Sequence, residues 1–145
     1  MTPSLAPTAR RPLWLTLTAL GGIGWNVFGL VQFAGSVTAT ADSLMQSGLT
    51  AEQAAVMTSY PEWMTAAFFI GVSGGLVGSI LLALRSALAR PVLLASLAAY
   101  VALWIGDAVH GVFAVMGAPQ VAILSTVVAI AAGLFFAATR DSARA

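Results

Sequence analysis

Polar residues along this chain fall into a few clusters, and the stretches between them are almost wholly apolar. Four such stretches stand out: Leu13 to about Val37, Glu62 to Leu84, Pro91 to about Met116, and Ala118 to about Thr139. Each is long enough for a helix that crosses a bilayer, which needs roughly 20 mostly apolar residues. They are too long for strands and lack the alternation of a half-buried strand. Backbone groups in lipid must be bonded internally, so runs of this kind read as helices. Pro12, Pro61, Pro91 and Pro119 stand at their beginnings, where a missing N–H loses no intrahelical bond. The pattern predicts an all-α fold: an integral membrane four-helix bundle, one domain over residues 1–145.

The first run follows paired arginines, as a secretory signal would. It is much longer than the 7–15 residues of a signal core, and it carries Asn26 and Gln32, which call for partners inside a bundle. A retained helix is expected. The connection over residues 38–60, "TATADSLMQSGLTAEQAAVMTSY", predicts two short helices lying at the membrane interface. Thr50 can cap the second and Gln53 completes a capping box, with Gly48 as a stop before it. A plain lid over the bundle fits this loop better than a binding loop. Tyr60 and Trp63 at one end and Trp14 at the other fit interfacial aromatic belts.

Composition strengthens the membrane reading. Of 145 residues 59% are hydrophobic and 8% charged, against about 25% charged in a soluble domain. The absence of cysteine removes disulfides and thiolate metal sites, and a net charge of +1 argues against a nucleic-acid surface. All six basic residues are arginines: Arg10 and Arg11 before the first run, Arg85 and Arg90 between the second and third, Arg140 and Arg144 after the fourth. Loops rich in positive charge stay cytoplasmic, so both termini are expected in the cytoplasm of a bacterial inner (plasma) membrane. The loop 38–60 then lies outside.

Small residues recur at helical spacing. Gly71, Gly74, Gly75 and Gly78 share one face of the second span, Gly21, Gly22 and Gly29 one face of the first, and Ser125, Ala129 and Gly133 one face of the fourth. Such stripes let backbones approach closely, within the bundle or between copies.

"WNVFGLVQF", "LTAEQ", "YPEW" and "GGLVGSILLALRSALARPVLLASL" together resemble a family of small four-span bacterial inner-membrane proteins often labelled "sugar transporter". The resemblance runs over most of the chain, most densely from Trp25 to Leu97. It implies a four-span protein and, through the label, transport of small polar solutes; it brings no catalytic residues.

"WIGDAVHG", Trp104 to Gly111, lies outside that resemblance and places Asp107 and the only histidine, His110, in the third span. Counting from Pro91 at 1.5 Å per residue puts Asp107 about 24 Å along the helix, past the midplane. Tyr100, Trp104, Asp107 and His110 share a face, and Asn26, Gln32, Glu62 and Gln120 fall in the outer half of the other spans. These eight residues form the candidate polar pocket. Three readings compete: a wet helix end, an internal clamp in which Asp107 accepts from His110 or Asn26, or a solute or proton site open to the outside. A metal site lacks ligands at suitable spacing, no cofactor is expected, and no nucleophile or acid–base set marks an enzyme. The expected activity is non-enzymatic, through helix packing in an oligomer or beside a membrane-protein partner, with the lipid bilayer around it. Transport of a small polar solute is the alternative.

Overall fold

The computed structural model describes residues 10–144; the outermost terminal residues, 1–9 and 145, lie outside the described part. Among the described residues seven helices follow one another: α1 Leu13–Thr38, α2 Ala41–Gln46, α3 Ala51–Thr58, α4 Glu62–Ala83, α5 Ala89–Val109, α6 Val112–Met116 and α7 Ala118–Arg144. Four of them, α1, α4, α5 and α7, are long and apolar enough to cross a membrane. The protein is a polytopic, all-α four-helix bundle, with no strand among the described residues.

Neighbours in sequence are neighbours in space. Helix α1 packs on α4, α4 on α5 and α5 on α7, while α7 returns to α1 more sparingly. Helices α1 and α4 run antiparallel with Gly22 opposite Ser79, Asn26 opposite Gly75, Gly29 opposite Val72, and Phe33 edge-on to Phe68 at 5.3 Å. The glycine stripe of α4 serves two partners. Gly75 receives the Asn26 side chain of α1, whereas Gly71, Gly74 and Gly78 receive Tyr100, Ser96 and Leu93 of α5. A Cβ at Gly71 would lie 2.8 Å from the Tyr100 ring, and one at Gly78 2.5 Å from Leu93. Only a residue without a side chain permits that approach. The Ser96 hydroxyl fastens the same contact by donating to the Gly71 carbonyl at 2.6 Å.

The other stripes are less uniform than their spacing implies. Gly22 is buried against Ser79 and Leu134 and Gly29 looks onto Val72, but Gly21 is exposed with nothing within 4 Å of its would-be Cβ. On α7, Ala129 and Gly133 face outward, and Ser125 accepts the Trp104 indole N–H at 3.0 Å. A 100° step fixes which residues share a face. It does not fix the direction in which that face points.

Arginine-bearing connections gather at one end of the bundle and the α2–α3 loop at the other. At the arginine end Leu15, Ala19, Leu82, Leu93, Leu134 and Ala138 form a core of residues at most 5% exposed. At the loop end Met64, Val72, Tyr100, Leu103 and Leu124 form a second cluster.

Two short helices do lie in the long loop. Thr50 and Gln53 bond reciprocally as a capping box, and Thr40 with Ser43 makes a second box at the start of α2. Gly48 separates the two with φ 108°. The third span is shorter than its apolar run. Helix α5 stops at Val109 because Gly111 turns left-handed, φ 77°, and the remaining apolar residues form the separate α6. Helix α7 runs past Thr139 to Arg144.

Candidate functional site

At the loop end the four long helices enclose a cavity of about 490 Å³. Helix α1 supplies Trp25, Phe28, Gly29 and Gln32, and α7 faces it with Gln120, Ile123, Leu124 and Val127. The floor comes from Thr65 and Phe68 of α4 and from Tyr100, Leu103 and Asp107 of α5, and Met57, Thr58 and Tyr60 form the roof. The lining is mostly apolar, with a few polar groups drawn from all four spans. Phe28 and Ile123, on opposite rims, are 55% and 62% exposed, so the gap between α1 and α7 opens sideways to the bundle's surroundings. At the arginine end this gap is shut. Gly22 lets Leu134 of α7 come within van der Waals distance of α1, and Leu15, Ala137 and Ala138 close the rest.

Asp107 lies at the back of the cavity, fully buried. Its Oδ1 accepts from the Tyr60 hydroxyl at 2.8 Å and its Oδ2 from the Gln120 amide at 3.0 Å. Both donors are neutral and come from distant parts of the chain. Burial, with the adjoining Asp107 carboxylate as a second cause, pushes the Tyr60 phenol far above its usual range, so it remains a proton donor to Asp107. Tyr100, 4% exposed, also lines the cavity, and its hydroxyl has no hydrogen-bond partner among the described residues. The side chains of Gln32 and Thr65 are likewise uncommitted at the cavity wall.

Four of the eight pocket residues expected from sequence therefore meet: Gln32, Tyr100, Asp107 and Gln120. The other four do not line the cavity. Asn26 sits deeper, donating to the Gly22 carbonyl at 2.8 Å instead of to Asp107. Glu62 is exposed at the first turn of α4. Trp104 turns to α7 and stacks edge-on to Phe113 at 5.2 Å. His110 is exposed, its ring 6.0 Å from that of Trp63, and it makes no bond to Asp107. Asp107 accepts from Tyr60 and Gln120, not from His110 or Asn26. Residues three apart on a helix differ by about 60° in direction, and His110, whose N–H still bonds the Gly106 carbonyl, faces outward where Asp107 faces into the bundle.

Tyr60 is the cavity residue that the sequence pattern places in an interfacial belt instead. Its place before Pro61 at a span boundary has the same appearance as an interfacial belt tyrosine. The proline holds the entrance to α4 extended, at φ −56° and ψ 146°, and Tyr60 just before it reaches the carboxylate. Among the described residues no three His, Asp or Glu side chains come together in a way that would hold a metal ion. No protein-family model, curated protein or solved structure matches the chain.

Proposed function

We propose that this protein is a non-enzymatic membrane protein that holds a small amphiphilic molecule in the cavity between α1 and α7. The arginine end lies in the cytoplasm, as positive loops do, and the cavity in the outer half of a bacterial inner membrane. The observation that carries the reading is the cavity itself. It has the size and the apolar lining with few convergent polar groups that are usual for small-molecule sites. Its sideways mouth admits a molecule already dissolved in lipid. The closed core at the arginine end favours a pocket over a conduit, and a solute transporter would need that core to open. Exposed Gly21, Ala129 and Gly133 leave small-residue faces on α1 and α7 where a second copy or a membrane-protein partner would pack.

The lack of cysteine makes the test clean. Thr65→Cys places a single thiol in the cavity wall and Ala129→Cys a control thiol outside it. In detergent, n-decanol should slow the reaction of the first with N-ethylmaleimide and leave the second unchanged. Equal slowing at both positions, or none at Thr65→Cys, would overturn the reading. In intact cells a membrane-impermeant maleimide should label Ser47→Cys in the loop between α2 and α3 from outside. Labelling only after lysis would invert the assigned orientation.

A further inference from the structure

We infer that the molecule held at this site is a lipophilic organic cation, its charged head beside Asp107 and its apolar body between α1 and α7. The inference rests on the binding role proposed above and adds the chemistry of the ligand. Asp107 is fully buried and faces no cation among the described residues. Its two hydrogen bonds come from a phenol and an amide, which bring no positive charge. The two donors cover both oxygens, which are out of reach of solvent, and leave the charge of an ionised carboxylate unneutralised. Arg85 is paired to Asp141 at 2.8 Å at the other end of the bundle, and Arg90 precedes Asp107 by about 25 Å of helix at 1.5 Å per residue. His110, the nearest basic residue in sequence, is exposed and turned to Trp63.

A charge removed from water without a partner is strongly disfavoured, and a counter-ion brought into the same low-dielectric space relieves it. The walls suit such an ion. Trp25, Phe28, Phe68 and the two tyrosines present aromatic rings to the cavity, and ring faces attract organic cations. The unpartnered Tyr100 hydroxyl adds an acceptor. The mouth fixes the rest of the description. It opens beside the exposed apolar residues Phe28 and Ile123, which suits a lipid-soluble cation that arrives by partitioning.

The test uses the Thr65→Cys protein with two probes of nearly equal shape and opposite charge, tetraphenylphosphonium and tetraphenylborate. Tetraphenylphosphonium should protect the thiol from N-ethylmaleimide at a concentration at least tenfold lower than tetraphenylborate, after correction for the Ala129→Cys control. Adding Asp107→Asn, which keeps the shape and the acceptor for Tyr60, should bring the two probes within threefold of each other. Equal protection by both ions with Asp107 in place, or a preference that survives Asp107→Asn, would overturn the inference. If decanol protects and neither ion does, the cation is wrong and the binding site stands. If nothing protects, both readings fall. Should Asp107→Asn not fold, the probe ratio in the parent Thr65→Cys protein decides alone.

Discussion

At the arginine end the four long helices meet through leucines and alanines in a buried core; at the loop end the same helices surround a cavity of about 490 Å³. The contrast is not one of hydrophobicity. Both halves are apolar, and the open half carries the larger side chains. What differs is the arrangement of size. Ala19 and Gly22 of α1 and Ala137 and Ala138 of α7 are small residues on buried faces, and they let Leu15 and Leu134 fill the space between the two helices. Further along, α1 presents Trp25 and Phe28 towards Ile123 and Val127, with no groove to receive them. In lipid no hydrophobic force squeezes helices together, so a seam without complementary small residues stays apart. The polar groups of the open half then have a space to face, whereas Ser96 in the tight α4–α5 seam is spent on a backbone carbonyl.

The sharpest way to break this comparison is to make one substitution twice on one helix. Leucine at Gly22 would meet Ser79 Oγ at 2.5 Å and Leu134 Cδ2 at 2.7 Å from its Cβ alone. Overpacking of this kind costs typically about 1–3 kcal/mol and occasionally more, and Gly22→Leu should reach or pass the upper figure and prevent recovery of folded protein. Two turns on, a Cβ at Gly29 meets only Val72, at 3.3 Å, beside the cavity. Gly29→Leu should melt within a few degrees of the parent in detergent and should lose decanol protection of Thr65→Cys. Equal loss of stability from both would mean that the two halves are equally tight.

Next in size is the carboxylate cluster of the open half. Asp107→Leu strands the Tyr60 hydroxyl and the Gln120 amide, and an unsatisfied buried polar group costs about 1–3 kcal/mol. Asp107→Asn keeps the acceptor for Tyr60, and Gln120 can present its carbonyl to the new amide by a flip. Its melting temperature should stay much closer to the parent. Tyr60→Phe removes one donor and should fall between the two. Asp107→Asn falling as far as Asp107→Leu would show that the charge, and not the hydrogen bonds, holds the roof onto α5.

The sealed half has a polar group of the opposite kind. Ser79 Oγ is buried with no hydrogen-bond partner among the described residues, in the narrow space that Gly22 leaves. Ser79→Ala removes an unmet hydroxyl and hardly changes the volume, so a small gain in stability is expected, at most about 1 kcal/mol. A loss of that size would mean that the hydroxyl has an unrecognised structural role between α1 and α4.

The spans, the capping box of α3 and half of the pocket were legible in the sequence for reasons of physics. A bilayer imposes a minimum length on any apolar helix, and the Thr50–Gln53 box is a local device within four residues. The partners of Asp107 were not legible, because Tyr60 lies 47 residues away and Gln120 13. Their meeting depends on how each helix is rotated, which periodicity leaves free. Gly111 was visible in "WIGDAVHG", yet a glycine in an apolar run serves packing as often as termination. Its left-handed backbone is what ends α5 and splits off α6. The exposed Gly21 and Gly133 make the same point from the other side: a stripe is readable, and its addressee is not.

The smallest effect expected concerns the turn that closes the sealed half. Arg85 follows α4 in the left-handed region, φ 54°, the only non-glycine with positive φ among the described residues. Its N–H bonds the Leu82 carbonyl and that of Ser86 the Leu81 carbonyl, the double bond of a helix stop that usually has glycine at this position. A side chain there costs about 1–2 kcal/mol. Against that cost, Arg85 makes a bond from Nη2 to Asp141 Oδ1 at 2.8 Å and one from Nε to the same oxygen at 3.2 Å, tying the end of α4 to the end of α7. The pair is partly exposed, 29% and 13% by side chain, so it contributes at most about 1 kcal/mol. The two terms nearly offset, and three variants separate them. Arg85→Ala keeps the strained backbone and loses the pair, so it should be the least stable. Arg85→Gly loses the pair and relieves the strain, so its stability should lie within about 1 kcal/mol of the parent, a few degrees in melting temperature, and clearly above Arg85→Ala. Asp141→Asn removes only the charge and should fall slightly below the parent, with a difference that shrinks in high salt. If Arg85→Gly were as unstable as Arg85→Ala, the left-handed backbone would carry no strain, and the tie to α7 alone would account for an arginine at this turn.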